Sequence, residues 1–257
     1  MMSQSDLHFS EYTDRLKRLG VVPNFFISER YWQAAGWRAF VQMNGEIHVL
    51  DGDGHEMLPP VGPDRLLPAE VWCGLEGYGG LGRRVFLDHQ FIYDPASFHD
   101  LSGHGRAVFR KNVRRFEKWH PEWAVRPPTG SDELVGALGE WLEPGQEVYD
   151  LETIMAYLEA CPAEEARVLE TEEGVVAINA WDSNWAFINF RYNFVRRGVK
   201  YASEFARLRF YLEMAERRPG VLVNDGGSLG SEALFRFKEK LGPVRVDSLY
   251  SWKKEPE

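Results

Sequence analysis

The chain has 257 residues, of which 44% are hydrophobic and 27% charged, a composition typical of a globular protein rather than a disordered one. Its formal net charge of −9 means that the protein as a whole repels polyanions, so any contact with nucleic acid must come from a local basic patch. Two widely separated cysteines exclude a disulfide framework, and no stretch approaches the roughly 20 apolar residues that span a bilayer. No signal-peptide pattern opens the sequence, so we expect a cytoplasmic protein.

The first half of the chain has the pattern of mixed helix and sheet. Asn44 and Gly45 separate two apolar runs and predict a tight hairpin. The proline-rich segment 58–63 is expected to interrupt regular structure. We predict helices over residues 6–19 and 69–75, and strands over residues 37–43, 46–50 and 85–93.

A basic helix is predicted next, within residues 104–120. Phe109, Val113, Phe116 and Trp119 recur at helical spacing and should form its buried face, while basic side chains fall on another face. In an acidic protein this second face is either a solvated helix surface or a docking surface for phosphates. The candidate tRNA-binding or phosphate-binding residues are Arg110, Lys111, Arg114, Arg115, Lys118 and, further along the chain, Arg197.

The second half predicts a regular series of elements after a linker at residues 121–130 and a helix N-cap at Ser131. Three strands joined by short turns predict an antiparallel meander, and a long helix with an apolar stripe should follow. We predict strands over 167–171, 175–180 and 185–194, a helix from residue 201, a strand over 221–225, a helix over 231–241 and a strand over 244–252.

The third strand of the meander changes from aromatic to polar along one face. Strict alternation puts Asn189, Arg191 and Asn193 together near its carboxyl end. A guanidinium there can hold a carboxylate, a phosphate or a developing oxyanion, whereas the alternative is an ordinary solvated face. Arg191 and Asn193 are therefore the candidate catalytic residues, with Asn189 and Tyr192 as candidate substrate-binding residues.

The loop at residues 224–230 follows a strand and opens a helix, so its backbone N–H groups could bind an anion. The alternative is a tight turn that needs glycine backbone angles. Its candidate substrate-binding residues are Asn224, Asp225, Gly227 and Ser228. Glu204, on the long helix that precedes the loop, is a further candidate substrate-binding residue, and Asp225 and Glu204 are the candidate general bases.

Two common cofactor signatures are absent from the sequence. The glycine-rich run at residues 77–82 matches a dinucleotide-binding pattern, but a strand follows it and a helix-like segment precedes it, the reverse of the required order. The seven histidines show no ligand spacing with one another or with cysteines, so we expect no metal.

Short segments of the chain resemble one known group of proteins. Residues 109–116, Phe-Arg-Lys-Asn-Val-Arg-Arg-Phe, look like the Lys-Arg-Asn helix of proteins related to the C-terminal domain of phosphatidylglycerol lysyltransferases. Residues 59–62 resemble their Pro-Pro-hydrophobic-Gly turn, and residues 224–230 with 237–243 resemble their closing signature. The order of elements in the second half is similar to the core of GNAT acyltransferases, so the chain resembles the GNAT and Fem-like acyltransferase superfamily.

This resemblance implies an α+β fold of two tandem GNAT-like halves, residues 1–125 and 126–257, each a mixed and mostly antiparallel sheet flanked by helices. It implies an aminoacyltransferase that takes its acyl group from aminoacyl-tRNA and passes it to an amine or hydroxyl of a small-molecule or peptide acceptor. The expected partner is tRNA, as a co-substrate, with no further cofactor. The sequence indicates no oligomeric state.

The sequence departs from two patterns of the superfamily. Enzymes that use acetyl-CoA or another acyl-CoA present Arg/Gln-x-x-Gly-x-Gly/Ala before the long helix, whereas here Val195 stands three residues before Gly198. In lysyltransferases an Asp lies three residues before the strand Arg, whereas here that residue is Ile188. An acyl-CoA-dependent N-acyltransferase and a non-catalytic GNAT-like binding module are the alternatives.

Overall fold

The computed structural model describes residues 6–7, 9–142 and 150–254, and it confirms an α+β fold with antiparallel and mixed sheets flanked by helices. The described residues form two compact units: the first contains residues up to Gln90 and from Asp247 onward, and the second is Phe91–Val246. In chain order the elements are β1 Asp6–Leu7, α1 Phe9–Arg18, α2 Glu29–Ala34, β2 Arg38–Val41, β3 Ile47–Leu50, β4 Glu56–Val61, β5 Arg83–Tyr93, α3 Ala107–Trp119, β6 Ala124–Arg126, α4 Ser131–Trp141, α5 Leu151–Glu159, β7 Ala166–Thr171, β8 Gly174–Ser183, β9 Phe187–Val195, α6 Ala202–Arg217, β10 Leu222–Asn224, α7 Glu232–Lys240 and β11 Arg245–Lys253.

The first unit contains a four-stranded antiparallel sheet in the order β1-β2-β3-β4. The hairpin predicted at Asn44 and Gly45 is confirmed, because β2 and β3 pair on either side of it and Gly45 has a φ of 81° that favours glycine. The core of this unit includes Tyr12, Leu16 and Trp32, all buried.

Three expectations for this unit need correction. Helix α1 begins at Phe9 rather than at residue 6, and His8 lies outside the described residues. Pro59 and Pro60 lie within β4, which tolerates them because it is an edge strand of its sheet. The helix predicted over 69–75 is wrong: that segment runs along β4 instead, where the backbone N–H of Trp72 donates to Glu56 at 2.9 Å.

The second unit contains a mixed sheet in which the end of β5 is followed by β10, β9, β8, β7 and β6. The predicted meander of β7, β8 and β9 is confirmed as antiparallel, while β10 pairs with β9 in parallel. The predicted linker contains β6, and the predicted N-cap Ser131 is instead the first residue of α4, after Gly130 at the cap.

Helix α6 packs across this sheet through aromatic side chains. Phe210 stacks on Phe190 of β9 with ring centroids 3.9 Å apart, and Phe205 stacks on Phe116 of α3 at 4.6 Å. These contacts fix α3 beside α6, so the buried face of the basic helix determines which of its side chains reach the surface.

The predicted halves and the compact units describe different divisions of the chain. The boundary between the units falls inside β5 and β11, and α3 packs in the same unit as the elements that follow residue 126. The division into two GNAT-like halves therefore stays a prediction. Among the described residues, no helix combines the length and apolarity that crossing a bilayer requires.

Candidate functional site

A β-bulge at Arg191 interrupts the alternation of β9. On the neighbouring strand, Trp181 pairs with Phe190 and the next residue, Ala180, pairs with Tyr192, so Arg191 is the extra residue. An extra residue reverses which side chains face each side of the strand beyond it. The bulge therefore decides which of the predicted site residues meet.

Arg191 and Asn189 do meet, and they converge on Asp182 of β8. The guanidinium donates to Asp182 from Nε at 2.7 Å and from Nη2 at 3.2 Å, and the amide of Asn189 donates to the same carboxylate at 2.8 Å. The hydroxyl of Tyr157 in α5 adds a fourth donor at 3.0 Å. The side chain of Arg191 is 1% exposed and that of Asp182 is 6% exposed, so this is a buried and oriented ion pair.

Asn193 lies on the other side of β9, apart from Arg191. Its Nδ2 donates to Oδ1 of Asn179 at 2.8 Å, and its Oδ1 accepts from Ser203 of α6 at 2.6 Å. The predicted convergence of Asn189, Arg191 and Asn193 is therefore wrong for Asn193, because the bulge turns it toward α6.

Tyr192 lies with Arg191 on the side of β9 that faces α5. Its ring packs edge-on against Tyr157 at 5.1 Å. Burial raises the pKa of the Tyr192 hydroxyl to about 12, so this group stays protonated and can act only as a neutral hydrogen-bonding partner near neutral pH.

The loop after β10 is held by buried charges. Asp225 accepts hydrogen bonds from Tyr211 at 2.6 Å and from Arg207, and its carboxylate lies 3.2 Å from the ammonium of Lys238. Burial acts to raise the pKa of Asp225, but the charges of Arg207 and Lys238 outweigh it and the pKa is lowered. A carboxylate so fully engaged is a poor proton acceptor, and these contacts favour a structural role for Asp225.

The other predicted residues of this loop also contact their own chain. The side chain of Asn224 accepts from the backbone N–H of Gly226 at 3.0 Å, and Ser228 is buried. The carbonyl of Gly227 accepts from Lys238 at 2.7 Å. The first turn of α7 is capped by Ser231, whose hydroxyl accepts from Leu234 at 3.3 Å. The loop has the contacts of a tight structural turn, the alternative left open by the sequence.

The basic face of α3, which we define as Arg110, Lys111, Arg114, Arg115 and Lys118, lines a shallow surface groove of about 400 Å³ together with Ala107. Lys111, Arg114 and Lys118 are exposed. None of these three side chains has a hydrogen bond or ion pair to any residue that the structure describes. Uncompensated positive charge in a row is what a phosphate backbone requires of a protein surface.

The basic face continues to the start of α6. Arg115 donates to the hydroxyl of Tyr201 at 3.0 Å, and the ring of Trp119 packs against the ring of Tyr201 at 5.2 Å. Asn112 donates to Glu204 at 2.8 Å, which places this candidate base beside α3 rather than beside Arg191. Tyr201 has a φ of 68°, which is rare for a bulky residue and is stabilised here by these contacts.

The predicted buried face of α3 is only partly confirmed. Phe109, Val113 and Phe116 are buried, but Trp119 is 49% exposed because it lies in the last turn, where its packing partner is Tyr201. Arg197 is exposed in the loop between β9 and α6.

Two groups of side chains among the described residues could offer metal ligands, and both lie largely at the surface: Asp51 with Asp53 and His55, and His120 with Glu172 and Glu173. In the first group Asp51 already accepts hydrogen bonds from the backbone N–H groups of Asp53 and His55, each at 2.9 Å. These hydrogen bonds are those of a turn, so we assign no metal to the group formed by Asp51, Asp53 and His55.

Sequence reasoning missed Asp182, Tyr157 and Lys238, the groups that fix the predicted residues in place. The predicted strands end at residue 180 and begin again at 185, which leaves Asp182 in the turn between them. In the structure β8 extends to Ser183, and Asn184, which accepts from the backbone N–H groups of Ala186 and Phe187, closes the hairpin. Pairing back from that hairpin sets Asp182 opposite Asn189, which is the signal that could have found it.

No protein-family model matches this sequence, and no curated protein matches it. Solved structures do resemble its fold. A conserved protein of unknown function from Bacteroides thetaiotaomicron is 15% identical, with a TM-score of 0.71 over 98% of this chain and 100% of that one.

Two further structures carry a functional title. L-PGS from Bacillus licheniformis is 18% identical, with a TM-score of 0.65 over 100% of this chain and 95% of that one. The C-terminal domain of a proposed lysylphosphatidylglycerol synthetase from Agrobacterium fabrum is 13% identical, with a TM-score of 0.59 over 95% of this chain and 92% of that one. At these identities the likeness shows the fold, and it agrees with the relation that the sequence motifs indicated.

Proposed function

We propose that this protein is an acyltransferase that takes an aminoacyl group from aminoacyl-tRNA and transfers it to an amine or hydroxyl acceptor. The observation that carries the proposal is the uncompensated basic face of α3 in a protein of net charge −9 whose fold is similar to that of L-PGS. Polyanion binding by an acidic protein needs such a local patch. The broken pyrophosphate pattern at Val195 favours tRNA over acyl-CoA as the donor.

In this proposal Arg191 polarises the acyl carbonyl while an amine or hydroxyl attacks it. The ester C–O bond then breaks, and the terminal ribose hydroxyl of the tRNA leaves with the proton that the attacking group loses. Asp182 fixes the guanidinium through Nε and Nη2, so its orientation is set before the substrate arrives. An aminoacyl ester is already activated, and positioning with charge stabilisation can suffice without a covalent enzyme intermediate. Asn189 supports this arrangement through Asp182, and Tyr192 lies beside it as a neutral hydroxyl.

A second candidate, a GNAT-like binding module without catalysis, is favoured by one observation. The side chain of Arg191 is 1% exposed and engaged by Asp182, which is also what a purely structural ion pair would show. In that case the basic face would bind its ligand and no group would be transferred.

A transfer assay separates the candidates. The purified protein is incubated with a pool of radiolabelled aminoacyl-tRNA and a cell metabolite extract, and in parallel with labelled acetyl-CoA. We expect label to move from aminoacyl-tRNA, and Arg191→Lys to lower kcat about 100-fold or more, the effect of losing one oxyanion donor. Transfer only from acetyl-CoA would overturn the choice of donor, and no transfer from either would favour the binding module.

Charge reversal tests the role of the basic face in the same assay. Lys111, Arg114 and Lys118 are changed to Glu in one variant, and a control variant carries the same change at the exposed residues Arg18, Arg83 and Arg218. We expect the first variant to raise KM for aminoacyl-tRNA with little change in kcat, because in this proposal these charges contact phosphates of the tRNA and act on binding alone. Equal KM values in the two variants would contradict the proposal.

A further inference from the structure

Trp119 is the one large aromatic side chain of α3 that is not buried among the described residues. It is 49% exposed, although its spacing from Phe116 and Val113 is that of the core-facing positions. Leaving half of an indole ring in water forgoes hydrophobic stabilisation, so a ligand that covers it gains free energy. The exposed part of Trp119 is therefore a candidate contact surface.

The ring of Trp119 is held from one side. It packs against Tyr201 at a centroid distance of 5.2 Å and an interplanar angle of 54°. Tyr201 is fixed in turn by Arg115, which donates to its hydroxyl at 3.0 Å and lies 5.4 Å from its ring centre. Trp119 and Arg115 are also neighbours on α3, four residues apart. A ring restrained before binding loses less entropy when a ligand stacks on it.

The charged neighbours of Trp119 indicate what that ligand is. Lys111, Arg114 and Lys118 run along α3 over about 10 Å, a length that matches a few consecutive phosphates, and Trp119 follows Lys118 directly. Basic grooves that track a backbone, combined with aromatic rings on which bases stack, are how proteins hold single strands. A base in the interior of a duplex is already stacked on both sides and offers no free face to Trp119.

A membrane surface fits this arrangement less well. Interfacial helices bury a continuous apolar face between their charges. On α3 the exposed apolar side chains are Val108 and Trp119, which lie at opposite ends of the helix and about 16 Å apart along its axis. Basic side chains occupy the surface between them, so no continuous apolar strip is available for insertion.

We propose that Trp119 is a stacking platform for an unpaired base of a single-stranded RNA segment whose phosphates lie on Lys111, Arg114 and Lys118. This inference rests on the proposed use of an RNA co-substrate and adds the part of the RNA that is recognised: an unpaired end rather than a double-stranded stem.

The test is a fluorescence anisotropy titration with a labelled single-stranded RNA of about 12 nucleotides, within the site size of single-strand-binding domains. A duplex of the same length, inorganic polyphosphate and vesicles of phosphatidylglycerol are the competitors. We expect Trp119→Ala to weaken binding of the single strand about 5- to 100-fold and Trp119→Tyr to retain most of it. Trp72→Ala, which removes a Trp of comparable exposure in the first unit, should leave binding unchanged.

Salt dependence separates stacking from charge. Each phosphate contact adds about −0.7 to the slope of log K against log salt for a single strand, so three contacts give about −2. Trp119→Ala should lower K and keep that slope, whereas reversal of Lys111, Arg114 and Lys118 should flatten it. Melting curves of every variant check that each one folds.

Several results would overturn the inference. These are unchanged binding in Trp119→Ala, an equal loss for the duplex and for polyphosphate, preferential binding of the parent protein to vesicles, or no RNA binding at all. The titration needs no acyl group and no catalysis. If Trp119→Ala weakens RNA binding but the protein transfers no label, only the proposed reaction is refuted. If the protein transfers label but Trp119→Ala binds RNA normally, only the stacking role of Trp119 is refuted.

Discussion

Replacing Arg191 by Met should destabilise the second unit strongly, because it leaves the carboxylate of Asp182 buried without its ion-pair partner. The pair is buried on both sides, at 1% and 6% side-chain exposure, and two hydrogen bonds of 2.7 and 3.2 Å disappear. Breaking a buried pair from one side costs about 3–5 kcal/mol. For a protein of this size that corresponds to a fall in Tm of roughly 6–20 °C.

Two comparison variants make the measurement specific. Arg126→Met breaks ion pairs to Glu133 at 2.7 Å and Glu170 at 2.8 Å, but the Arg126 side chain is 32% exposed, so the loss should stay below about 1 kcal/mol. The double variant Arg191→Met with Asp182→Leu removes both buried charges and should recover much of the lost stability.

Urea denaturation followed by circular dichroism measures all of these variants. The reasoning is refuted if Arg191→Met lowers the free energy of unfolding no more than Arg126→Met does. That result would mean that water enters, or that neighbouring groups rearrange, to stabilise the Asp182 carboxylate at little cost. Additive losses in the double variant would refute it as well, because residues in direct contact should show a coupling energy.

Three further predictions concern other parts of the chain. The side-chain hydrogen bond from Arg126 lowers the pKa of Glu133 to about 2, so the contribution of Glu133 to stability is present above the unfolded pKa of about 4.3 and is lost as the pH falls toward 2. Glu133→Gln should therefore flatten the curve of Tm against pH between about pH 4.3 and 2. A curve for the variant that runs parallel to that of the parent protein would contradict this prediction. Leu229 is 85% exposed with a φ of 51°, so Leu229→Gly should raise stability by about 0.5–1 kcal/mol in urea denaturation, whereas a loss would show that its side chain matters. Cys73 is partly buried, and desolvation raises the pKa of its thiol to about 12, so iodoacetamide should alkylate it slowly at neutral pH and faster in denaturant. Equal alkylation rates in the two conditions would contradict this prediction.

The elements that the sequence predicted well are those with a long, regular apolar period. The buried face of α3 through Phe109, Val113 and Phe116 and the meander of β7, β8 and β9 follow directly from periodicity. The segment over 69–75 shows the limit of this reasoning, since its backbone pairs with β4, a distant partner that no local pattern reveals.

The candidate site was predicted less well, for a reason that lies in one residue. Alternation along β9 assumes a period of two, and the extra residue at Arg191 shifts the period without a glycine or proline to mark it. Asn189 stays with Arg191, but Asn193 turns to the opposite side. A single bulge thus separated two residues that the sequence had assigned to one catalytic group.

The charged residues predicted for the site fall into two groups: buried ones whose charge is balanced by a neighbour, and exposed ones whose charge is not. Asp225 is buried and its charge is balanced by Arg207 and Lys238. Such a balance is what burial demands of any charged group, whether or not a ligand exists, so it gives no sign of function. An exposed charge such as that of Lys111 or Lys118 is under no such demand. Lys111, Arg114 and Lys118 repel one another, and none of them forms an ion pair with a described residue, although the acid Glu117 lies on the same helix. A ligand of opposite charge would offset that repulsion.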